Sequence, residues 1–431
     1  MEEEQLQAEK KYTKEYALLQ LRRTGKYITT FFKWLFLAVL TGLVCGGAGC
    51  LFHTLIELAT DFRTENSYII YFLPAGGLVI VLLYRLFREQ NVDGTNYVIR
   101  SIRTDGRVPF GMAPAILTGT VLTHLLGGSA GREGAALQLG GSLGSTLGKL
   151  FRLDNKDMHV MVLCGMSAVF SALFATPLTA AVFVMEVISV GTIYYSAIMP
   201  CIFSSVTAYL LTVLLKIQPI SYTLTNVPDV TALSLLQTAA LGVLFALMSI
   251  VLCVTISKTY LLFNKVLKNE FIRIAAGGTL IVGLTLLCGT DYNGAGMNIV
   301  NKAIADGEAF PAAFALKLVF TAITLASGYR GGEIVPTFFI GSTFGCVIAP
   351  LLGLDAGFGA ALGLVAVFCG ATNAPLASLF LSIELFGGAG IPFFAIACGI
   401  SYMLSGYFSL YKSQIIVYDK LKAMFTNRRT R

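Results

Sequence analysis

The chain has 431 residues, of which 55% are hydrophobic and only 13% are charged, and its mean hydropathy is +0.74. Because roughly a quarter of the residues in soluble globular proteins are charged, this composition excludes a soluble fold. The net charge of +7 is concentrated at the chain ends and in a few loops, which argues against a nucleic-acid-binding face. The sequence therefore predicts a polytopic membrane protein.

Residues 1–30 are polar and charged, and they lack the short apolar core of a secretory signal. We interpret them as a cytoplasmic segment that precedes a membrane domain over 31–418. Residues 419–431 are expected to form a short cytoplasmic tail without a soluble regulatory (CBS) domain. Lysine and arginine cluster before the first span, after the second, near 258–273 and in the tail, so the positive-inside rule places both termini in the cytoplasm. A plasma membrane of a prokaryotic cell is the expected location.

Long uncharged runs recur along the whole chain, and each is about the length that a helix needs to cross a bilayer. These runs are 34–52, 68–84, 196–215, 234–256, 274–289 and 357–382. Other apolar stretches are shorter and are interrupted by glycine or bounded by proline, which favours tilted or broken helices that meet inside the membrane. These shorter stretches are 111–127, 139–151, 160–172 and 335–352.

The chain also contains an internal repeat, which three pairs of segments reveal at nearly constant spacing. The pair that begins at Gly94 and Gly296 is offset by 202 positions, and the pair at Gly131 and Gly331 by 200. The third pair, Thr176-Pro-Leu and Ala374-Pro-Leu, is offset by 198 and carries a glutamate nine residues after each proline. The sequence therefore predicts two structural copies, about 33–215 and 234–415, inserted with opposite topology as in many transporters.

The repeated loops place glycine-rich backbone directly before apolar helices. A helix N-terminus has unpaired N–H donors and about half a positive charge, so several such ends that meet in mid-membrane can bind a small anion. Glu133, within Gly131-Arg132-Glu133-Gly134, is an ionisable residue at such a helix start. We predict that its carboxylate competes with the anion and leaves the site on protonation, while Arg132 pairs with another group. For a single loop, close helix packing explains the glycines better, whereas their repetition in three loops favours the anion site.

These features resemble the CLC family of chloride channels and anion/proton antiporters, over about residues 33–415. Gly131-Arg-Glu-Gly-Ala with Gln138 and Gly140-Gly141 is similar to the GREGP loop of that family, and Leu73-Pro-Ala-Gly-Gly77 is similar to its second-span opening. Gly331-Gly-Glu-Ile-Val-Pro336 is similar to its GGxFxP loop, and Tyr411 matches its pore-lining tyrosine.

The resemblance implies an all-α fold of two inverted repeats, a homodimer with one pore per subunit, and Glu133 as the gating and proton-carrying residue. It implies that transported chloride or fluoride contacts residues in the three loops and the late tyrosine. These anion-binding candidates are Thr95, Gly131, Arg132, Glu133, Gly134, Ile334, Val335 and Tyr411, and further pore-lining candidates are Asn96, Val187, Phe338 and Phe339.

Four departures from the family pattern leave the transported ion and the mechanism open. Thr95 stands at the serine position of the GSGIP loop, Ala135 replaces the GREGP proline, and Ile334 replaces the GGxFxP phenylalanine. Val187 stands where chloride antiporters have an inner proton glutamate, so the chain is either a channel or moves protons by another route. The departures also resemble the fluoride-exporting branch, although Thr95 is not the methionine expected there. Chloride is the family default, and fluoride is the alternative.

Other functions fit the sequence less well. Glu186 and Glu384 are expected to hydrogen-bond to helix ends, and His53, His124 and His159 have no metal-ligand spacing. Gly127-Gly-Ser-Ala-Gly131 spells the GxSxG of a hydrolase, but it follows no strand pattern. We therefore predict no catalytic residues, no metal and no cofactor. A cation transporter would need more mid-membrane carboxylates, and a scaffold would expose more chain.

Overall fold

A computed structural model describes residues 2–89, 94–104, 106–217, 221–224, 226–422 and 424–431. The side chains of 2–19 and 21 also lie outside the described part, including most of the charged residues of the predicted cytoplasmic segment. The backbone there is helical and continues into the first span, so α1 passes the predicted boundary at residue 30 without a break.

Sixteen α-helices and three short strands follow one another in the described chain. The helices of the first repeat are α1 Glu2–Glu65, α2 Leu73–Leu86, α3 Gly94–Arg103, α4 Met112–Leu125, α5 Glu133–Leu150, α6 Asn155–Phe174, α7 Pro177–Glu186 and α8 Ile198–Leu214. Those of the second are α9 Ala232–Val266, α10 Glu270–Cys288, α11 Met297–Ala305, α12 Ala313–Ser327, α13 Ile334–Ile348, α14 Ala356–Thr372, α15 Pro375–Phe386 and α16 Ile391–Leu404. The strands are β1 Ser189–Val190, β2 Ile415–Tyr418 and β3 Phe425–Arg429.

Within the described residues, seven helical segments are long and apolar enough to cross a membrane. The predicted run 357–382 is not one of them, and its interpretation as a single span is wrong. It is divided into α14 and α15 because Asn373 adopts a left-handed conformation and Pro375 begins a new helix. The stretch 160–172 is likewise not a short segment, since it lies inside the 20-residue α6. The stretch 335–352 is not short either, because α13 with the turn that follows it, Ile334–Leu352, is one of the seven segments. The stretch near 112 is a short helix, as predicted.

The two repeats extend to elements that the sequence comparison did not pair. Helices α4, α5 and α6 begin at residues 112, 133 and 155, and α12, α13 and α14 begin at 313, 334 and 356. Each of these starts is 201 positions after its counterpart. The prediction of two structural copies is therefore confirmed, and it includes the packing of α5 on α6 and of α13 on α14.

Glycines bring these helix pairs into close contact. A Cβ on Gly140 of α5 would lie 2.2 Å from the carbonyl oxygen of Gly165 in α6. A Cβ on Gly341 of α13 would lie 2.3 Å from the carbonyl oxygen of Gly363 in α14. Real Cβ atoms do not approach backbone so closely, so these glycines serve helix packing, as membrane helices commonly require.

Two glutamates join the repeats by capping each other's short helices. Glu186, at the end of α7, accepts hydrogen bonds from the N–H groups of Leu376 and Ala377 at the start of α15. Glu384, in α15, accepts from the N–H groups of Leu178 and Thr179 at the start of α7. The predicted bonding of both carboxylates to helix ends is confirmed, and the exchange between repeats is the pattern that a two-fold axis produces.

The chain end forms a small sheet in an otherwise helical protein. Strand β2 pairs in parallel with β1 and antiparallel with β3. The Thr430 hydroxyl donates a 2.7 Å hydrogen bond to the carbonyl of Tyr411, and Gln414 donates through Nε2 to the carbonyl of Thr372. The sheet therefore holds the segment that carries Tyr411.

We expect Gly341→Ala to destabilise the protein and Gly399→Ala not to. The first change adds a methyl group against backbone that cannot move aside, and overpacking of this kind costs about 1–3 kcal/mol. A Cβ on Gly399, within α16, would meet nothing within 4 Å. Thermal unfolding of the two purified variants in detergent checks this, and equal melting temperatures would contradict the packing role of Gly341.

Candidate functional site

The starts of α5 and α13, one from each repeat, face each other inside the protein. Gly131 and Gly332 exchange two backbone hydrogen bonds of 2.7 Å in an isolated antiparallel bridge. A Cβ on Gly332 would lie 2.4 Å from the backbone nitrogen of Gly134, so this approach requires glycine. Two helix N-termini are thereby directed at one point, where their unpaired N–H groups favour negative charge.

Glu133 occupies that point with its own carboxylate. Its side chain is completely buried, and Oε2 accepts hydrogen bonds from the backbone N–H of Val335 at 3.2 Å and of Arg132 at 3.0 Å. Oε1 has no hydrogen-bond partner in the described part of the chain. A Cβ on Gly131 would lie 2.4 Å from Oε2, so a larger residue here would displace the carboxylate from this position. The carboxylate thus binds where a free anion would bind, and it receives donors from both repeats.

Arg132 has its side chain directed away from this carboxylate. Nη1 lies 2.9 Å from Nδ1 of His53 in α1, and Nη2 donates a 3.3 Å hydrogen bond to the carbonyl of Leu173. Nε is 4.0 Å from Oε1 of Glu133, beyond hydrogen-bond distance. Arg132 therefore contributes its backbone N–H to the carboxylate, and its guanidinium pairs elsewhere.

The sequence analysis did not predict His53 as part of the site. His53 is buried, and its Nε2 lies 2.9 Å from Oε1 of Glu57, one helical turn later. Two ionisable residues at i and i+4 inside an apolar span were a usable signal. The partner Arg132 is 79 residues away, so its contact with His53 could not be read from spacing.

A cavity of about 440 Å³ opens on one side of Glu133, and we call it the inner cavity because the tail segment around Lys412 lines it. Tyr411 lines it with a buried hydroxyl that has no hydrogen-bond partner among the described residues. The Thr95 hydroxyl donates to the carbonyl of Gly134 at 3.1 Å and accepts from Nε2 of Gln138 at 3.2 Å. The hydroxyl hydrogen of Thr95 is therefore already used in this conformation.

A second cavity, of about 550 Å³, opens on the other side, and we call it the outer cavity. His53, Glu57, Arg63, Arg132 and Val335 are among its lining residues. Buried Glu133 lies between the two cavities, because Arg132 and Val335, which bond its carboxylate, line the outer one while Thr95, bonded to Gly134, lines the inner one. The carboxylate of Glu133 therefore separates the two cavities.

The other predicted residues lie in different places. Asn96 lines the inner cavity, where its Oδ1 accepts from the N–H of Ser413. The N–H of Gly131 is used in the bridge to Gly332 and does not reach the carboxylate. Gly134 and Ile334 are buried in the first turns of α5 and α13. The structure thus brings together the two repeated loops before α5 and α13, as predicted.

The two phenylalanines of α13 point to different surroundings. The ring of Phe338 is 6.0 Å from that of Phe174, which lines the outer cavity, and 5.3 Å from that of Phe368. Phe339 instead lies 5.2 Å from the Lys317 ammonium. Phe339 also packs against Gly296, which lines the outer cavity, so each ring lies behind one residue of that cavity wall.

Val187 leaves no acid at the predicted inner proton position. It is fully buried and ends α7 directly after Glu186. Both oxygens of the neighbouring Glu186 accept hydrogen bonds from α15, so Glu186 serves as a cap for that helix. A carboxylate on the inner side is supplied by Glu333, which lines the inner cavity. Its Oε2 would be 3.2 Å from a Cβ placed on Gly134.

Comparisons with known proteins agree with this geometry. A family model described as voltage gated chloride channel matches residues 76–406. A chloride/fluoride channel protein of Pseudomonas syringae pv. tomato is 35% identical, over 90% of this chain and 87% of its own. An H(+)/Cl(-) exchange transporter of Vibrio cholerae is 27% identical, over 83% of this chain and 82% of its own.

Two solved structures are similar over most of the chain. The crystal structure of a CLC-type fluoride/proton antiporter is 32% identical, with a TM-score of 0.86, and the match covers 89% of this chain and 98% of that one. A slow cyanobacterial Cl-/H+ antiporter has a TM-score of 0.75 at 22% identity, covers 86% of this chain and 94% of that one, and supports the fold.

We expect Tyr411→Phe to weaken anion binding by about tenfold. The change removes a buried hydroxyl that no described protein group uses, and a hydrogen bond to a charged group contributes about 1.5–3 kcal/mol. The control is Tyr260→Phe, which also alters a tyrosine of the inner cavity. Titration calorimetry with fluoride and chloride measures the effect. Unchanged affinity in Tyr411→Phe would contradict an anion contact by this hydroxyl.

Proposed function

We propose fluoride/proton exchange as the activity of this chain, which belongs to the voltage gated chloride channel (CLC) family. Anion and proton transport of the CLC kind is supported by the family match and by the relatives. Fluoride is favoured over chloride because the proteins that name fluoride are 35% and 32% identical, whereas those that name only chloride are 27% and 22% identical. The polytopic helical fold is the expected one for such a transporter.

The position of the Glu133 carboxylate is the observation that carries the proposal. It accepts N–H groups from the starts of α5 and α13, as a bound anion would. A protonated carboxyl group is neutral and competes poorly for these donors, so protonation favours its departure and lets a halide replace it. Exchange of a carboxylate for an anion at one site couples each proton taken up by Glu133 to the entry of one anion.

Glu333 is our candidate for the inner proton step, which Val187 cannot perform. The Glu333 carboxylate lies at the inner cavity beside Gly134, on the opposite side of the bridge from the outer cavity. Glu186 and Glu384 each accept hydrogen bonds from a helix start, and protonation would remove acceptor capacity from these two starts. We therefore assign them no part in proton movement.

Tyr411 is proposed to close the inner side of the pathway and Phe338 to border the outer side. Both are buried beside the bridge region, and the Tyr411 loop is held by the C-terminal sheet. The backbone N–H groups of Arg132 and Val335, which bond the Glu133 carboxylate, are the proposed anion donors once it leaves, together with those of Gly134 and Ile334 in the same helix starts. Thr95 would serve the anion only after its hydroxyl leaves the carbonyl of Gly134.

A homodimer in a prokaryotic plasma membrane, with both termini in the cytoplasm, is part of the proposal. Helix α8 exposes large apolar side chains, including Leu210, Val213 and Leu214. Water cannot cover such a surface favourably, so lipid or a second copy must do so. A second copy seated on this face would cover it in a homodimer.

We expect purified protein in liposomes to move fluoride outward with opposed proton movement, and Glu133→Gln to abolish the proton movement. A glutamine cannot exchange a proton, although it can still leave the helix starts and admit an anion. Fluoride and chloride efflux are followed with ion-selective electrodes together with external pH. Glu308→Gln is the control, because Glu308 is exposed and pairs with Lys302 away from the two cavities.

Each other outcome decides one part of the proposal. Faster chloride than fluoride efflux with opposed proton movement would replace fluoride by chloride as the substrate. Halide efflux without proton movement in the wild type would make the protein a channel. If neither halide moves through well-folded protein, the proposed function is wrong.

A further inference from the structure

We propose that His53 and Glu57 position Arg132 and thereby determine how readily Glu133 leaves the anion site. This inference rests on the proposed function, since it concerns the gate of the same pathway. His53 and Glu57 belong to α1 and lie outside the repeated loops. They line the outer cavity together with Arg132.

The hydrogen-bond donors and acceptors in this cluster allow one arrangement. A guanidinium has donors and no acceptor, so Nη1 of Arg132 donates to Nδ1 of His53, 2.9 Å away. The neutral ring then carries its proton on Nε2, which donates to Oε1 of Glu57 at 2.9 Å. Glu57 therefore fixes the tautomer of His53 that can accept from Arg132, as second partners of functional histidines commonly do.

This anchoring keeps the guanidinium off the gate. Arg132 is held by His53 on one side and by the carbonyl of Leu173 on the other, with Nε 4.0 Å from Oε1 of Glu133. If His53 cannot accept, the buried Nη1 loses its partner. Oε1 of Glu133 is the acceptor at hand, because it has no other partner in the described chain. A charge-assisted bond between them would hold Glu133 ionised in the site.

Other ionisable groups face the cluster of His53, Glu57 and Arg132, but no other described cation is as close to the Glu133 carboxylate as Arg132 is. In the described part of the chain, only Arg132 has a side-chain nitrogen within 4.0 Å of a Glu133 oxygen. The groups that face the cluster are Asp61 and Arg63 on α1, His124 on α4, Asp291 before α11, Lys317 on α12, Glu333 before α13, and Tyr411. These groups stay the same in all the variants below, so a change in the response to pH reports on Arg132 and Glu133.

The test compares His53→Leu with His53→Asn in the liposome assay at a series of external pH values. Leucine removes the acceptor, and we expect half-maximal exchange to require a pH about one unit more acid, because the guanidinium, 4.0 Å from Oε1 in the wild type, would then bond to that oxygen and favour the ionised carboxylate. Asparagine keeps an acceptor oxygen near the place of Nδ1, so we expect a profile close to that of the wild type. His159→Leu is the matched control, because His159 contacts the carbonyl of Thr104, far from the gate.

Variants of Glu57 test the hydrogen bond that fixes His53, which in turn holds Arg132. Glu57→Gln keeps an acceptor for the Nε2 proton and should leave the profile unchanged. Glu57→Leu removes the acceptor that keeps the His53 proton on Nε2, so it should shift the pH profile of exchange toward acid. Should His53→Leu fail to fold, the Glu57 pair decides the question, since Glu57 is 60% exposed at its side chain and tolerates substitution.

A double variant separates positioning from a general structural role. In Glu133→Gln the carboxylate is absent, so adding His53→Leu should not slow the remaining halide leak further. Non-additivity of this kind is the signature of residues that act through one another. Identical pH profiles for His53→Leu and wild type, or equal defects in His53→Leu and His53→Asn, would overturn the inference. A wild type that moves no halide would instead overturn the proposed function.

Discussion

Every part of this site depends on one constraint, which is that helix starts inside a membrane must find acceptors for their free N–H groups. In water such groups are solvated, whereas in the bilayer an unsatisfied one costs several kcal/mol. This fold starts α5, α7, α13 and α15 within the protein, where water does not reach them freely. Three glutamates and the peptide groups around the Gly131–Gly332 bridge meet the demand.

The three glutamates satisfy the constraint in two physically different ways. Glu186 and Glu384 each bond to the first turn of one helix with both oxygens, so either loss would leave two donors unsatisfied. Glu133 uses a single oxygen for two donors and leaves the other oxygen unbonded in the described chain. A spherical anion can take over those two donors without rearrangement of the helices. The same chemistry therefore gives a permanent cap in one place and an exchangeable one in the other.

Much of this could be predicted because the constraint leaves traces in local sequence. The repeated glycines and the glutamates nine residues after proline indicated helix starts and their acceptors. That each glutamate caps the other repeat could not be predicted, since the exchange depends on how the two copies pack. The run 357–382 was mistaken for one span because composition alone does not show that Asn373 and Pro375 interrupt it. The role of His53 was not predicted because its partner Arg132 contacts it only in the tertiary fold.

The departures of this chain from the chloride antiporters concern the inner carboxylate and the surroundings of the anion site. Valine at 187 removes one inner carboxylate, and the loop at Gly331 supplies another, Glu333, on the inner cavity. Fluoride holds its water more tightly than chloride, so a site for it must offer donors at close range. The bridge between Gly131 and Gly332 brings the two helix starts as close as backbone permits, because no side chain separates them. The same glycines belong to the loops that resemble the whole family, so the bridge provides a site for a small anion, and the proposed preference for fluoride rests on the relatives that name it.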